Sequence, residues 1–257
     1  MRVSVLGSLL TGIILCSSNP AIAQQPLISI PSPSIPTFLG EVALKYPAVV
    51  ALSTVTLNGN AKWTLGNLKE SGTAILVAQA DGSTNLQLNL DTATRTESRT
   101  ALGNSRACQW TDSKGSHPLN DVDCNASLVW FAPMLLVQPL PTLLQLLVIN
   151  DDGNVARTSG NFRQISYSTP MQGTSTAITN LLTGGTHMSV LYDPQTLLPS
   201  SVEYLQHADS DLSITFPVRV AYSNYQTISG VPIPFQIDRY VNNTLQLSLT
   251  LNSASTK

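Results

Sequence analysis

From Thr244 to Leu251 every second residue is leucine, and the residues between are Thr, Gln, Ser and Thr. An extended chain sends successive side chains to opposite faces, so this alternation describes a strand with one apolar and one wet face. The same period recurs along the chain. Leu86, Leu88 and Leu90 share a face, as do Ile214, Phe216, Val218, Val220 and Tyr222. Ile233, Phe235, Ile237 and Val241 form another such face, with Arg239 breaking the pattern. Shorter runs over 50–58, 61–65, 73–80, 95–100, 106–111, 155–158, 162–167, 188–192 and 201–206 bring the expectation to about a dozen strands. Asn58-Gly59-Asn60, Asp81-Gly82-Ser83, Asp152-Gly153-Asn154 and Asn242-Asn243 read as hairpin turns, because their residues tolerate positive φ. Hairpins join antiparallel neighbours, and no helix-period segment alternates with these strands. The sequence therefore predicts a mainly β fold and excludes a doubly wound α/β sheet.

One segment breaks the rhythm. Residues 126–149 (ASLVWFAPMLLVQPLPTLLQLLVI) carry no charge. Their length would cross a bilayer, but Pro133, Pro139 and Pro141 and two glutamines argue against a membrane span. Two short helices are expected, one ending before Pro133 and one starting after Pro141. An element that is apolar all round has to be buried, so these helices should lie against a sheet face. Shorter helices are expected over Phe38–Tyr46 and Ser175–Leu182.

The N-terminus reads as an address. Arg2, an apolar run from Val3 to Leu15 and the Ala21-Ile22-Ala23 site form a secretory signal over 1–23. Cys16 follows Leu15, whereas a lipid-modified cysteine follows a small residue. Residues 24–37, with four prolines and no charge, read as an extended tether. Residues 38–257 are then expected to form one domain. In an oxidising compartment Cys108 and Cys124 would pair; two free buried thiols are the alternative. Charged residues are 11% and net charge is −2, so the chain offers no basic surface for nucleic acid.

Motifs for catalysis are missing: there is no G-x-S-x-G, H-E-x-x-H, P-loop or G-x-G-x-x-G. His117 with Asp121 and Asp123, and the His207–Asp211 stretch, read as solvated turns rather than metal sites. Glu97 between Arg95 and Arg99 reads as an exposed strand face with paired charges. No enzyme activity, cofactor or metal is expected. Trp63, Trp110 and Trp130 are either core residues or the lining of a ligand cavity.

The last seventy residues carry a layout with more meaning. Leu191-Tyr192-Asp193-Pro194-Gln195-Thr196-Leu197-Leu198-Pro199 ends a strand in D-P-x-T-x-L-P, and Val202-Glu203-Tyr204 resumes it. Val220-Ala221-Tyr222-Ser223-Asn224-Tyr225 precedes Ile228-Ser229-Gly230-Val231-Pro232-Ile233-Pro234, and a final hairpin turns at Asn242-Asn243. This resembles the lipoprotein-carrier-like superfamily of LolA/LolB-type half-barrels. The earlier V-T-L-N-G-N-A-K-W and E-S-G-T-A-I-L stretches resemble an uncharacterised family of secreted bacterial proteins linked to that fold.

The resemblance implies a strongly curved antiparallel sheet forming an incomplete barrel, with short helices over its concave face. It also implies binding of lipid acyl chains there, with 126–149 as lid or plug. On that basis the candidate ligand-binding residues are Trp63, Leu65, Trp130, Phe131, Met134, Leu135, Leu143, Leu144, Leu147, Phe216 and Phe235. No arginine of this sequence can be matched to the cavity arginine of the carriers, and the lid is apolar enough to fill the cavity itself. The expected function is an exported envelope protein, periplasmic or secreted, that carries a hydrophobic small molecule, lipid or lipoprotein. The alternative is an envelope scaffold or sensor acting through a protein partner; a secreted hydrolase is a third reading.

Overall fold

The computed structural model describes residues 35–102, 105–126, 128–137, 147–208 and 211–257. The expected signal segment 1–23 and most of the expected tether lie outside them. The first helix, α1 (Ile35–Lys45), begins three residues earlier than its expected start and takes in the end of that tether. Proline in a first turn costs a helix nothing, because that N–H has no intrahelical partner anyway. Phe38, Leu39 and Val42 form its buried stripe, and Phe38 packs edge-on against Tyr192 with ring centroids 5.1 Å apart.

The strands are β1 (Thr54–Leu65), β2 (Leu68–Gln79), β3 (Thr84–Leu90), β4 (Thr94–Leu102), β5 (Ser105–Asp112), β6 (Gly115–Pro118), β7 (Val148–Arg157), β8 (Gly160–Ser168), β9 (Met188–Tyr192), β10 (Pro199–Ala208), β11 (Asp211–Ile228), β12 (Val231–Val241) and β13 (Thr244–Thr256). The described residues also form two short helices, α2 (Asp121–Asn125) and α3 (Thr176–Gly185), with 3₁₀ turns at Pro47–Ala51 and Pro133–Leu136. The strands form one antiparallel sheet in the order β6-β5-β4-β3-β2-β1-β13-β12-β11-β10-β9-β8-β7. Among the described residues the edge strands β6 and β7 do not pair with each other, so the sheet is an incomplete barrel.

The order has a direct consequence. Strands β1–β6 walk outward from the centre to one edge, and β7–β13 walk back from the other edge to β1. The chain between β6 and β7 must therefore pass from one edge of the sheet to the other. After α2 that connection runs into the uncharged segment, whose residues 128–137 are buried throughout. Trp130, at 1% exposure, is the largest of these side chains. They join one core with the inward residues Val55, Leu57, Leu76, Leu88, Val190, Val220, Ile237 and Leu249.

The segment is not the helix expected before Pro133. Residues 128–131 form a turn, and a 3₁₀ turn starts at Pro133 itself. A short irregular path leaves backbone carbonyls without helical donors, and buried carbonyls need partners. Two strand tyrosines supply them. Tyr167 donates to the Leu136 carbonyl at 3.1 Å, and Tyr222 donates to the Trp130 carbonyl. Burial pushes both phenols well above their ordinary pKa, so both stay protonated and able to donate. The helix expected after Pro141 lies outside the described residues.

Two expected turns are corrected. Asn58-Gly59-Asn60 lies inside β1, whose pairing with β2 runs without interruption from Thr54↔Gln79 to Leu65↔Leu68. The turn is at Gly66 and Asn67, with Gly66 at φ 60°. Gly59 instead faces a bulge, where pairing with β13 steps from Asn58↔Ser253 to Gly59↔Leu251. A Cβ at Gly59 would lie 2.4 Å from the Thr250 carbonyl oxygen. Likewise Asp152-Gly153-Asn154 is a bulge inside β7, with Gly153 at φ 83°. Glycine inside a strand marks a bulge or a close backbone approach as readily as a turn. The turns at Asp81-Gly82-Ser83 and Asn242-Asn243 are as expected, the two asparagines holding φ 50° and 61°.

Gly59→Ala should lower stability by about 2 kcal/mol through overpacking. Gly40→Ala, where a Cβ meets nothing within 4 Å, should be neutral or stabilise by up to about 1 kcal/mol. Urea unfolding midpoints of the two variants check this contrast. Trp130→Ala should cost about 3–5 kcal/mol and is read by the same titration.

Candidate functional site

Register decides which side chains face the interior. Directly opposed residues of an antiparallel pair lie on the same face. Leu86 and Leu88 are inward, and their partners across the ladder are Glu97 and Arg95. Glu97 in turn faces Trp110 on β5, and Trp110 faces His117 on β6. The charged face of β4 thus lines the concave side, which corrects the reading of Arg95, Glu97 and Arg99 as an exposed strand. The expected pairing of charges does hold. Arg99, at 5% exposure, forms an ion pair with Glu97. From across the barrel Arg239 of β12 enters the same space, with its guanidinium 5.5 Å from the Trp130 ring.

Burial alone would raise the Glu97 carboxyl. The guanidiniums of Arg99 and Arg239, with the Arg99 hydrogen bond, outweigh it and hold Glu97 below its ordinary value. Beneath this cluster α2 is clasped in place. Cys124 forms a disulfide with Cys108 of β5, their Cα atoms 5.5 Å apart. Asn120 caps α2 by accepting from the Asp123 backbone N–H at 2.8 Å. The buried Asp123 carboxylate accepts from the His207 backbone N–H at 2.9 Å and lies 2.9 Å from His207 Nδ1. The other edge of the His207 ring lies against Gly185. This pair was not anticipated: 84 residues separate its members, and each read locally as a turn residue.

Above the cluster is an open cavity of about 290 Å³. Its apolar wall is built by two tryptophans, Trp63 and Trp110, and five leucines, Leu119 among them with Leu65, Leu86, Leu88 and Leu247, and its polar part by Arg95, Glu97, Gln206, Arg239 and Gln246 with two threonines. A smaller space of about 30 Å³ lies behind it, bounded by Arg99, Asp123 and Tyr204.

Of the residues singled out in the sequence, Trp63 and Leu65 line this cavity. Trp130, Phe131, Met134, Leu135, Leu147 and Phe235 are buried, and none of them lines it. Phe216 is half-buried, and Leu143 and Leu144 lie outside the described residues. The missed lining residues had a signal. Arg239 interrupts an otherwise apolar face, and Arg95, Glu97 and Arg99 repeat at period two.

No protein-family model matches this chain, and no curated protein does. Solved structures do. The chain resembles an outer membrane lipoprotein-sorting protein domain from Vibrio parahaemolyticus at 8% identity, covering 87% of this chain and 93% of that one, with a TM-score of 0.52. A DUF1329 family protein from Desulfovibrio piger matches at 8% identity over 88% and 94%, with a TM-score of 0.52. A LolA superfamily protein from Nitrosomonas europaea matches at 8% identity over 88% and 94%, with a TM-score of 0.50. The fold is therefore LolA-like, as the sequence resemblance implied.

The depressed Glu97 pKa fixes a pH dependence. Between its folded value and the ordinary 4.5, the unfolded state binds the proton and the folded state does not. Stability from this group is complete above 4.5 and declines as pH falls through that window. The stability gap between wild type and Glu97→Gln should therefore be widest near neutrality and shrink below pH 4.5. Urea titrations at stepped pH measure it.

Proposed function

We propose that this chain is an exported bacterial envelope protein that binds or carries a hydrophobic ligand in its half-barrel, without catalysis. The observation that carries the reading is the open 290 Å³ cavity on the concave face, whose apolar wall is two tryptophans and five leucines. Ligand pockets are concave and mostly apolar with a few placed polar groups, and their usual range begins at about 300 Å³. Half of the residues lining this cavity are apolar, and its volume lies just under that range. A volume of about 290 Å³ suits a single chain rather than several. The fold shared with a lipoprotein-sorting domain and a LolA superfamily protein is consistent with carriage of lipid or lipoprotein. The N-terminal leader and the Cys108–Cys124 disulfide favour an oxidising compartment outside the cytoplasm.

Native mass spectrometry of the purified mature chain tests this reading. A co-purifying apolar adduct near one per chain, or one-to-one uptake of added 1-dodecanol, is the expected result. A clean mass that stays unchanged with the alcohol would remove the carrier reading and leave a scaffold that works through a protein partner.

A further inference from the structure

Among the residues lining the cavity, three buried donors lack a hydrogen-bond partner against one such acceptor, Gln246 Oε1. Arg239 is 8% exposed, and its Nε is buried without a hydrogen-bond partner. What holds the guanidinium is the Glu97 charge and the Trp130 ring face. Arg95 lies on the same wall, 5.3 Å from the Trp63 ring, and its Nε is also buried and unpartnered. The Trp63 indole N–H, which can only donate, is a third buried donor without a partner. Leaving such donors unsatisfied in a desolvated site is costly, and more so for charged ones.

The acids nearby do not absorb them. Glu97 is engaged by Arg99, and Asp112, on which the Arg95 charge is the last of several influences, does not line the cavity. Glu70, opposite Trp63 across the β1–β2 ladder, turns its carboxylate to the Thr92 hydroxyl and does not line the cavity. Among the lining residues, two guanidiniums face one carboxylate, so the cavity carries an excess positive charge at its polar end. Its other end is leucine and tryptophan.

We infer that the cavity takes a single-chain anionic amphiphile, whose carboxylate accepts from Arg239, Arg95 and the Trp63 indole while its alkyl chain lies along Leu65, Leu86, Leu88, Trp110 and Leu247. The inference rests on the ligand-binding reading above and deepens it by naming the headgroup. A guanidinium presents a planar fork that matches a carboxylate in two parallel hydrogen bonds. A neutral alcohol of the same chain length would leave the fork unfilled.

Titrations of dodecanoate, 1-dodecanol and butyrate at pH 8, read by intrinsic tryptophan fluorescence, test it on the mature chain. Dodecanoate should bind about tenfold or more tighter than dodecanol. Arg239→Met should lower dodecanoate affinity about tenfold and leave dodecanol within about twofold. Equal binding of acid and alcohol, or an equal loss of both in the variant, would overturn the anionic head while leaving an apolar ligand in place. Butyrate binding as tightly as dodecanoate would overturn the amphiphile in favour of a free anion. Failure of both twelve-carbon ligands would remove this inference and the carrier reading together. If Arg239→Met does not fold, Arg95→Met carries the same comparison with the same outcomes.

Discussion

The structure depends on the burial of one apolar crossover. A sheet whose outermost strands are neighbours in sequence needs a connection that spans its open side. Here the part of that connection after α2 is free of charge, and the burial of residues 128–137 removes its leucines and aromatics from water. The inward residues of the strands gain the same shelter. Without the crossover they would form a wide apolar concavity open to solvent, larger than a soluble chain ordinarily exposes. The backbone cost of an irregular buried path is met by Tyr167 and Tyr222, each a strand residue whose ring is core and whose hydroxyl serves a carbonyl.

The same arrangement sets the limits of the cavity. Where the crossover lies, the half-barrel is filled. Where it has not yet entered, around α2, the inner face turns polar and an opening remains. The disulfide, the Asn120 cap and the Asp123–His207 pair all act on α2. They fix the point at which the chain dives into the core, and so the boundary between plug and cavity.

The strands were legible because alternation is a local property. The interior of the cavity was not, because facing depends on pairing. Nothing in the local run around Glu97 states which side is inside; that follows only once Glu97 is set opposite Leu86 and Trp110. Gly59 and Gly153 show the related ambiguity of glycine. Beside polar neighbours it signals a turn, but the same freedom from a Cβ permits a bulge, and only the continuous β1–β2 register decides. The burial of residues 128–137 was expected from the segment's lack of charge. Its path was not, because a 3₁₀ turn starting at Pro133 needs partners from distant strands that no local pattern announces. The resemblance in the last seventy residues indicated the half-barrel, and identity as low as 8% explains why the agreement ends at the fold.

The seam between β1 and β13 has a temporal meaning. It pairs Val55 with Thr256 at the centre of the sheet, so the middle of the molecule is sewn from strands about two hundred residues apart. Both flanking meanders can form hairpins early, but neither can become the half of a barrel until β13 has emerged. Contacts of such separation are closed slowly, because the loop entropy is lost before the contact energy is gained. A chain built this way stays open until its last strand is available, so its two flanks become a barrel wall together and late rather than one after the other.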